Sequence, residues 1–162
     1  MAEFSSVVPS LGSLSLLAVL GGLLASISII DARHGIIPDW ANAAIALLGL
    51  LRASLQLGPS ILEASAAAII TLCVFTTLLA VFKFYRGHPG MGLGDVKFLT
   101  AAATWTGFMG LPPVILIASI SGLFFALLRG LAGYPLSQTT RLSFGPHLAI
   151  GLAVVCFSGL FN

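Results

Sequence analysis

Residues 61–82 read ILEASAAAIITLCVFTTLLAVF, an apolar run in which Glu63 is the only charged side chain. A helix needs about 20 such residues to cross the hydrocarbon core of a bilayer. In that core the backbone N–H and C=O groups find no water, so they must bond to each other within the helix. The stretch therefore predicts a membrane-spanning helix.

The rest of the chain repeats this pattern. Of its 162 residues, 58% are hydrophobic and 7% are charged, against roughly 25% charged residues in an ordinary soluble domain. Proline and glycine separate the apolar stretches, as in Gly58-Pro59-Ser60, Leu111-Pro112-Pro113 and Gly133-Tyr134-Pro135, and these residues end helices and turn the chain. We expect an all-α, polytopic helix bundle in a single membrane-embedded domain, 1–162. Its approximately six transmembrane helices are expected at Leu11–Ile30, Trp40–Leu57, Ile61–Phe82, Val96–Gly110, Pro113–Gly130 and Gly145–Leu160.

The basic residues indicate an orientation for this bundle. In a six-helix arrangement, the loops after the first, third and fifth helices share one face, and the opposite face carries only Arg52. Short loops rich in Lys and Arg stay in the cytoplasm, so we expect those three loops inside and both termini outside. The net charge of +2 is too small and too scattered for a nucleic-acid partner. The basic residues of the predicted inner face are Arg33, Lys83, Arg86, Lys97, Arg129 and Arg141.

Two aspartates stand at helix ends on that same face. Taken singly, each has an ordinary explanation: Asp31 as a solvated carboxylate or a partner of Arg33, and Asp95 as a helix N-cap. Acidic residues at membrane segments are costly, however, and are therefore functional candidates. Two neighbouring carboxylates share one proton, so one can activate a water as base while the other polarises a peptide carbonyl as acid. The pair predicts hydrolysis of a peptide bond.

The residues around the aspartates give weaker signals. The glycines at 90, 92 and 94 would let a substrate backbone approach closely, although tight packing explains them equally well. Lys97 could tune the aspartate pair electrostatically, but the favoured role is to mark the membrane edge. Asp39 is expected to cap the second helix. Glu63 is expected to interact with the dipole of the third helix.

Other hydrolytic chemistries have no support in the sequence. His34, His88 and His147 lack a metal-ligand spacing. Neither a GxSxG turn nor a Cys with an obvious His partner occurs. We therefore expect no metal and no cofactor.

Three motifs resemble those of the type IV prepilin leader peptidases. The stretch Asp31-x-Arg33-x-x-x-Ile37-Pro38-Asp39 is similar to the first-aspartate motif of that family, and Gly90-Met91-Gly92-Leu93-Gly94-Asp95-Val96-Lys97 is similar to its GxGD motif. Phe144-Gly145-Pro146 resembles the short motif that starts its last helix. The resemblance implies a GxGD aspartic endopeptidase with catalytic Asp31 and Asp95. The residues expected to bind substrate or shape the site are Gly92, Gly94, Lys97, Arg33 and Pro38.

The resemblance also implies a substrate and a location. The expected substrate is a type IV, Flp-like prepilin or pseudopilin, cleaved at the cytoplasmic face of the bacterial inner membrane, with pilus or type II secretion assembly machinery as possible partners. Bifunctional members of the family carry an N-terminal region with paired CxxC motifs. Because ten residues precede the first apolar stretch and no basic n-region occurs, we expect a retained first helix and peptidase activity without N-methylation. Asp39 stands where many relatives have asparagine, so it serves as a control position.

Two other classes of function compete with the peptidase. A small proton-coupled transporter would use the same carboxylates as a relay, but such a protein should place an acid near mid-bilayer. A non-enzymatic assembly scaffold should retain its function without either aspartate. A protease resembling signal peptide peptidase or presenilin is less favoured, because its aspartates would lie deeper in their helices.

Overall fold

The computed structural model describes residues 11–87, 90–133 and 143–158. Within these residues all regular structure is helical. Some residues named in the expectations above lie outside the described residues, namely His88, Tyr134, Pro135, Arg141 and Leu160. The described residues form five helices: α1 (Leu11–His34), α2 (Asp39–Ser54), α3 (Ile61–Arg86), α4 (Leu93–Leu131) and α5 (Gly145–Ser158).

The surface of α3 is typical of a helix surrounded by lipid. Its buried residues are small or short, namely Ala64, Ala67 and Thr71, and they allow close approach to the neighbouring helix. Large apolar side chains of the same helix are exposed, for example Ile69 at 62% and Leu78 at 57%. A protein in water seldom leaves such a continuous apolar surface uncovered. Together with its length, this surface indicates a membrane helix.

Three of the described helices, α1, α3 and α4, are long and apolar enough to cross a membrane. Helix α5 is apolar but shorter. Helix α2 has 16 residues and includes Arg52. The protein is therefore an all-helical membrane protein with three helices of spanning length in the described part of the chain.

Helix α4 is broken at Gly107. A straight helix of 39 residues would be about 58 Å long, nearly twice the bilayer core. Gly107 has φ 60° and ψ −162°, a backbone conformation that is nearly exclusive to glycine. Gly107 lies beside Glu63 and Pro59, whereas Gly122 lies beside His147 at the start of α5. The segment 108–131 therefore returns in the direction from which 93–106 came.

This break corrects the expected loop. The sequence predicted a turn at Leu111-Pro112-Pro113, but both prolines lie within the helix and the chain turns at Gly107. Membrane helices tolerate proline in their interior when neighbouring groups satisfy the backbone carbonyls that proline leaves without a donor. Pro112 and Pro113 lie in the second turn after the break, and the turn itself needs the one residue without a Cβ.

Several other boundaries differ from those expected. Helix α1 continues through Asp31 to His34, and α3 continues to Arg86, so the charged residues at these ends extend the helices. Helix α2 ends at Ser54. Helix α4 begins at Leu93.

The bundle is centred on α4, which packs against α2, α3 and α5, while α1 packs against α2 and α5. Trp105 of α4 is almost completely buried, and its Nε1 donates to the carbonyl of Ile45 at 2.8 Å. We call the end of the bundle that contains Asp31, Asp95 and Gly145 the site end. The opposite end, which contains Arg52 and Gly107, is the far end.

Candidate active site

Asp31 is a buried carboxylate in the last turn of α1. It is 5% exposed, and its Oδ2 accepts a hydrogen bond from the backbone N–H of Gly145 at 2.8 Å. The hydroxyl of Ser143 donates to the same oxygen. Gly145 is the first residue of α5, where backbone N–H groups lack partners within the helix and favour a negative charge. Asp31 thus caps a helix far from it in sequence.

The approach of Asp31 to α5 requires a glycine at position 145. A Cβ built on Gly145 would lie 2.6 Å from Oδ2 and 2.8 Å from Cγ of Asp31. Contacts this short do not occur between real Cβ atoms and their neighbours, so a side chain here would displace the carboxylate. This contact gives the motif Phe144-Gly145-Pro146 a physical role that its resemblance alone did not supply.

Asp95 lies at the third position of α4, close to its beginning. The N-cap of the helix is Gly92, so the N-cap role that would explain Asp95 singly is wrong. The backbone N–H of Gly92 instead donates to the Asp95 carboxylate, which is the arrangement of an acid at the third helical position reaching back to the cap. The side chain is partly buried.

The two aspartates come together at the site end. Burial of the Asp95 side chain disfavours a charge on it, and the nearby charge of Asp31 disfavours it further. The fold thus brings near each other two carboxylates that are 64 residues apart in the sequence.

Asp39 and Lys97 form an ion pair at the same end of the bundle. The Lys97 Nζ donates to both carboxylate oxygens of Asp39, at 2.7 and 2.8 Å. Asp39 is the first residue of α2, whose N-cap is Pro38, so the predicted capping role of Asp39 is wrong. Both side chains are largely exposed, as the expectation of an edge position for Lys97 implies.

The remaining predicted site residues lie at the site end, on or next to α1, α2 and α4. Pro38 has an extended backbone and makes no side-chain cap. Arg33 is exposed in the last turn of α1, and Asp31 bonds to Ser143 and Gly145 rather than to Arg33. A Cβ on Gly94 would lie 3.3 Å from Cβ of Ile37, so this glycine allows α4 to pack closely on the chain before α2.

The described histidines do not form a ligand set. His147 is buried in the first turn of α5, where its Nδ1 lies 3.1 Å from the Ser121 hydroxyl. His34 is exposed at the end of α1. Within residues 11–87, 90–133 and 143–158, no three His, Cys, Asp or Glu side chains group together as metal ligands.

An apolar cavity of about 250 Å³ borders the loop that leads to Asp95. The two loop residues that line it are Gly90 and Met91. The surface next to the site is therefore suited to apolar groups. The helical part of the lining, all from α3, is Phe75, Leu78, Leu79 and Phe82.

The sequence reasoning missed Ser143 as a neighbour of Asp31. The resemblance pointed to the adjoining Phe144-Gly145-Pro146, but nothing in the sequence showed which side chain these residues meet. A serine just before a helix is a common capping residue, and that signal alone predicts a bond to its own helix. Only the packing of α1 against α5 shows that Ser143 donates to Asp31.

Comparison with known proteins agrees with the motifs. The model of the type IV leader peptidase family matches residues 18–127, which include both aspartates. The chain belongs to this family. The matched range ends before Ser143 and Gly145, so the contacts of Asp31 with these two residues come from the structure alone.

Curated members of the family are similar over most of the chain. A prepilin leader peptidase/N-methyltransferase of Burkholderia pseudomallei is 35% identical over 158 residues, covering 93% of this chain and 48% of that protein. One of Xanthomonas campestris is 35% identical, covering 87% of this chain and 49% of that protein. A type 4 prepilin-like proteins leader peptide-processing enzyme of Escherichia coli is 32% identical, covering 97% and 57%. The chain thus spans about half the length of these relatives. No solved structure matches it.

Proposed function

We propose that this protein is an aspartic endopeptidase that removes the leader peptide of type IV, Flp-like prepilins or pseudopilins. The observation that carries the proposal is the proximity of Asp31 and Asp95 at one end of the bundle, where Gly94 packs closely on Ile37. Family membership and the names of the relatives support the substrate class. The names of the Burkholderia and Xanthomonas relatives join a peptidase to an N-methyltransferase, and the paired carboxylates favour the peptidase.

The proposed reaction uses water as the nucleophile. One aspartate takes a proton from the water, and the resulting hydroxide attacks the carbonyl carbon of the scissile peptide bond. The protonated aspartate donates a hydrogen bond, then its proton, to the carbonyl oxygen. When the tetrahedral intermediate collapses, the C–N bond breaks and the amine leaves with a proton returned by the pair. No metal or covalent intermediate is needed.

The proposed setting is the bacterial inner membrane with the site end facing the cytoplasm. The break at Gly107 supports six passes, because 93–106 and 108–131 run in opposite directions. The inward position of the site end rests on the basic residues Arg33, Lys83, Arg86, Lys97 and Arg129, which flank the helices there. Arg52, the exception at the far end, is buried rather than in a loop. Pilus or type II secretion assembly machinery is the proposed partner system.

Co-expression with a prepilin tests the proposal. The parent protein should convert the prepilin to a mature form whose new N-terminus is read by mass spectrometry, and Asp31→Asn and Asp95→Asn should each abolish conversion. The same spectra show whether the mature amine carries a methyl group.

Asp39→Asn is the matched control. It makes the same chemical change at the same end of the bundle, but on an exposed residue paired with Lys97. This variant should cleave like the parent. Normal cleavage by either Asp31→Asn or Asp95→Asn would refute the paired mechanism. A proton flux in proteoliposomes that depends on Asp95, without cleavage of any prepilin, would favour a transporter instead.

A further inference from the structure

Within the part of the chain that the structure describes, the two aspartates receive unequal numbers of hydrogen bonds. The Oδ2 of Asp31 accepts from two donors, the Ser143 hydroxyl and the Gly145 N–H, and the latter belongs to the first residue of α5. Hydrogen bonds donated to a carboxylate favour its ionised form, and the beginning of a helix adds to this effect.

Asp95 has less support for a negative charge. One backbone N–H, that of Gly92, donates to its carboxylate, whereas Asp31, although it is the more buried of the two, accepts from two donors. Two carboxylates that share one proton place it on the group whose charge is less stabilised. The asymmetry in donors therefore bears on which aspartate is the base.

Resting on the proposed function, we propose that Ser143 is a positioning residue that, with the Gly145 N–H, holds Asp31 as the ionised base and leaves the shared proton on Asp95. Asp31 accepts the proton of the attacking water. Asp95 gives its proton to the carbonyl oxygen of the substrate, and the two roles reverse when the leaving amine is protonated. The catalytic residues remain the two aspartates, and Ser143 acts through Asp31.

Among the described residues, few other charged or titratable groups lie near Asp31. Helices α2 and α5 pack on α1, and α4 contributes Asp95. On α2 the charge of Asp39 is balanced by Lys97, and on α5 His147 bonds to Ser121 of α4. On α1 itself Arg33 and His34 are exposed, as is Lys97 of α4. The described residues thus leave Asp95 and the two donors as the main influences on the charge of Asp31.

The pH dependence of kcat/KM for prepilin cleavage tests the assignment, because its two limbs report the two ionisations of the free enzyme. Losing the hydroxyl in Ser143→Ala destabilises ionised Asp31, so the acid limb should move up by about 1 pH unit. The alkaline limb should stay in place, because Asp31 is charged both before and after Asp95 loses its proton. If Asp31 carried the proton instead, the alkaline limb would move and the acid limb would not.

Two nearly isosteric variants separate the hydroxyl from packing. Ser143→Thr should keep the parent profile, whereas Ser143→Val should shift the acid limb as Ser143→Ala does. Ser121→Ala, which removes a hydroxyl bonded to His147 rather than to Asp31, should leave both limbs unchanged. Rates are divided by the amount of folded protein, so partial loss of folding does not mimic a shift.

The outcomes distinguish this inference from the proposed function. A parent protein that cleaves no prepilin would refute the function. A parent that cleaves, together with Ser143→Ala and Ser143→Val profiles equal to that of the parent, would refute the positioning role alone. Movement of the alkaline limb in these variants would reverse the assignment of base and acid.

Discussion

The two ends of the bundle each bury a charged side chain, and they hold it in opposite ways. At the site end, Asp31 accepts the N–H of Gly145, at the beginning of α5. At the far end, Arg52 is 4% exposed, and its Nη1 donates at 3.0 Å to the carbonyl of Trp105, just before the break at Gly107. The anion lies at the N-terminus of a helix and the cation at the C-terminus of a helical segment, as the helix dipole favours.

The difference between the ends lies in the partner of the charge. Arg52 bonds to a backbone carbonyl and lies over the Trp105 ring, with 5.8 Å between its Cζ and the ring centroid. Asp31 faces a second acid, Asp95, which raises the energy of the pair instead of lowering it. A buried charge that bonds to a backbone group stabilises a fold, whereas two like charges held close together indicate a functional site.

Neutralising Asp31 should give the largest effect of these changes. The effect should fall on activity and leave stability nearly unchanged. Asp31→Asn keeps an oxygen that can accept from Ser143 and Gly145, so the unfolding temperature in detergent should change little. The amide cannot take a proton from water, so kcat/KM should fall at least about 10³-fold. An inactive variant that is also strongly destabilised would show that Asp31 is mainly structural.

Moving Asp31 without changing its chemistry should give the next largest effect. The added Cβ in Gly145→Ala would meet Oδ2 and Cγ of Asp31, and a displacement of about 1 Å should lower kcat/KM by about 10²-fold. Gly22→Ala in α1 is the control, because a Cβ there has nothing within 4 Å. Equal activities of the two variants would contradict the close approach seen at Gly145.

Removing the charge at the far end should affect stability and spare activity. Arg52→Met leaves the buried carbonyl of Trp105 without its donor, which costs about 2 kcal/mol in the free energy of unfolding. Prepilin cleavage per folded molecule should stay within about threefold of the parent. A fall in kcat/KM comparable to that of Gly145→Ala would show that the two ends are coupled.

Breaking the exposed ion pair should give the smallest effect. Lys97→Met removes a bond between side chains that are 48% and 74% exposed, and such pairs contribute about 1 kcal/mol or less. Unfolding in detergent at low and high salt measures the loss, which should shrink as salt rises. A larger, salt-independent loss would mean that Lys97 has a role beyond the pair with Asp39.

Much of the fold follows from apolar length and breaking residues. The expected stretches at 11–30, 61–82 and 113–130 lie within observed helices, because helical hydrogen bonding is obligatory in lipid whatever the tertiary packing. The prediction failed where both a proline pair and a glycine were candidates for ending a helix. Pro112 and Pro113 gave the stronger sequence signal, but the conformation at Gly107 turns the chain, beside Pro59 and Glu63.

The sequence by itself determined the membrane character, the two acids and their resemblance to a family, because these depend on composition and on local motifs. Only the tertiary structure decided which groups surround each acid. Ser143 and Gly145 reach Asp31 across more than 100 residues, and Lys97 pairs with Asp39 rather than with Asp31 or Asp95. Such contacts depend on how helices pack side by side. A local sequence pattern carries no information about the distance between the ends of two helices.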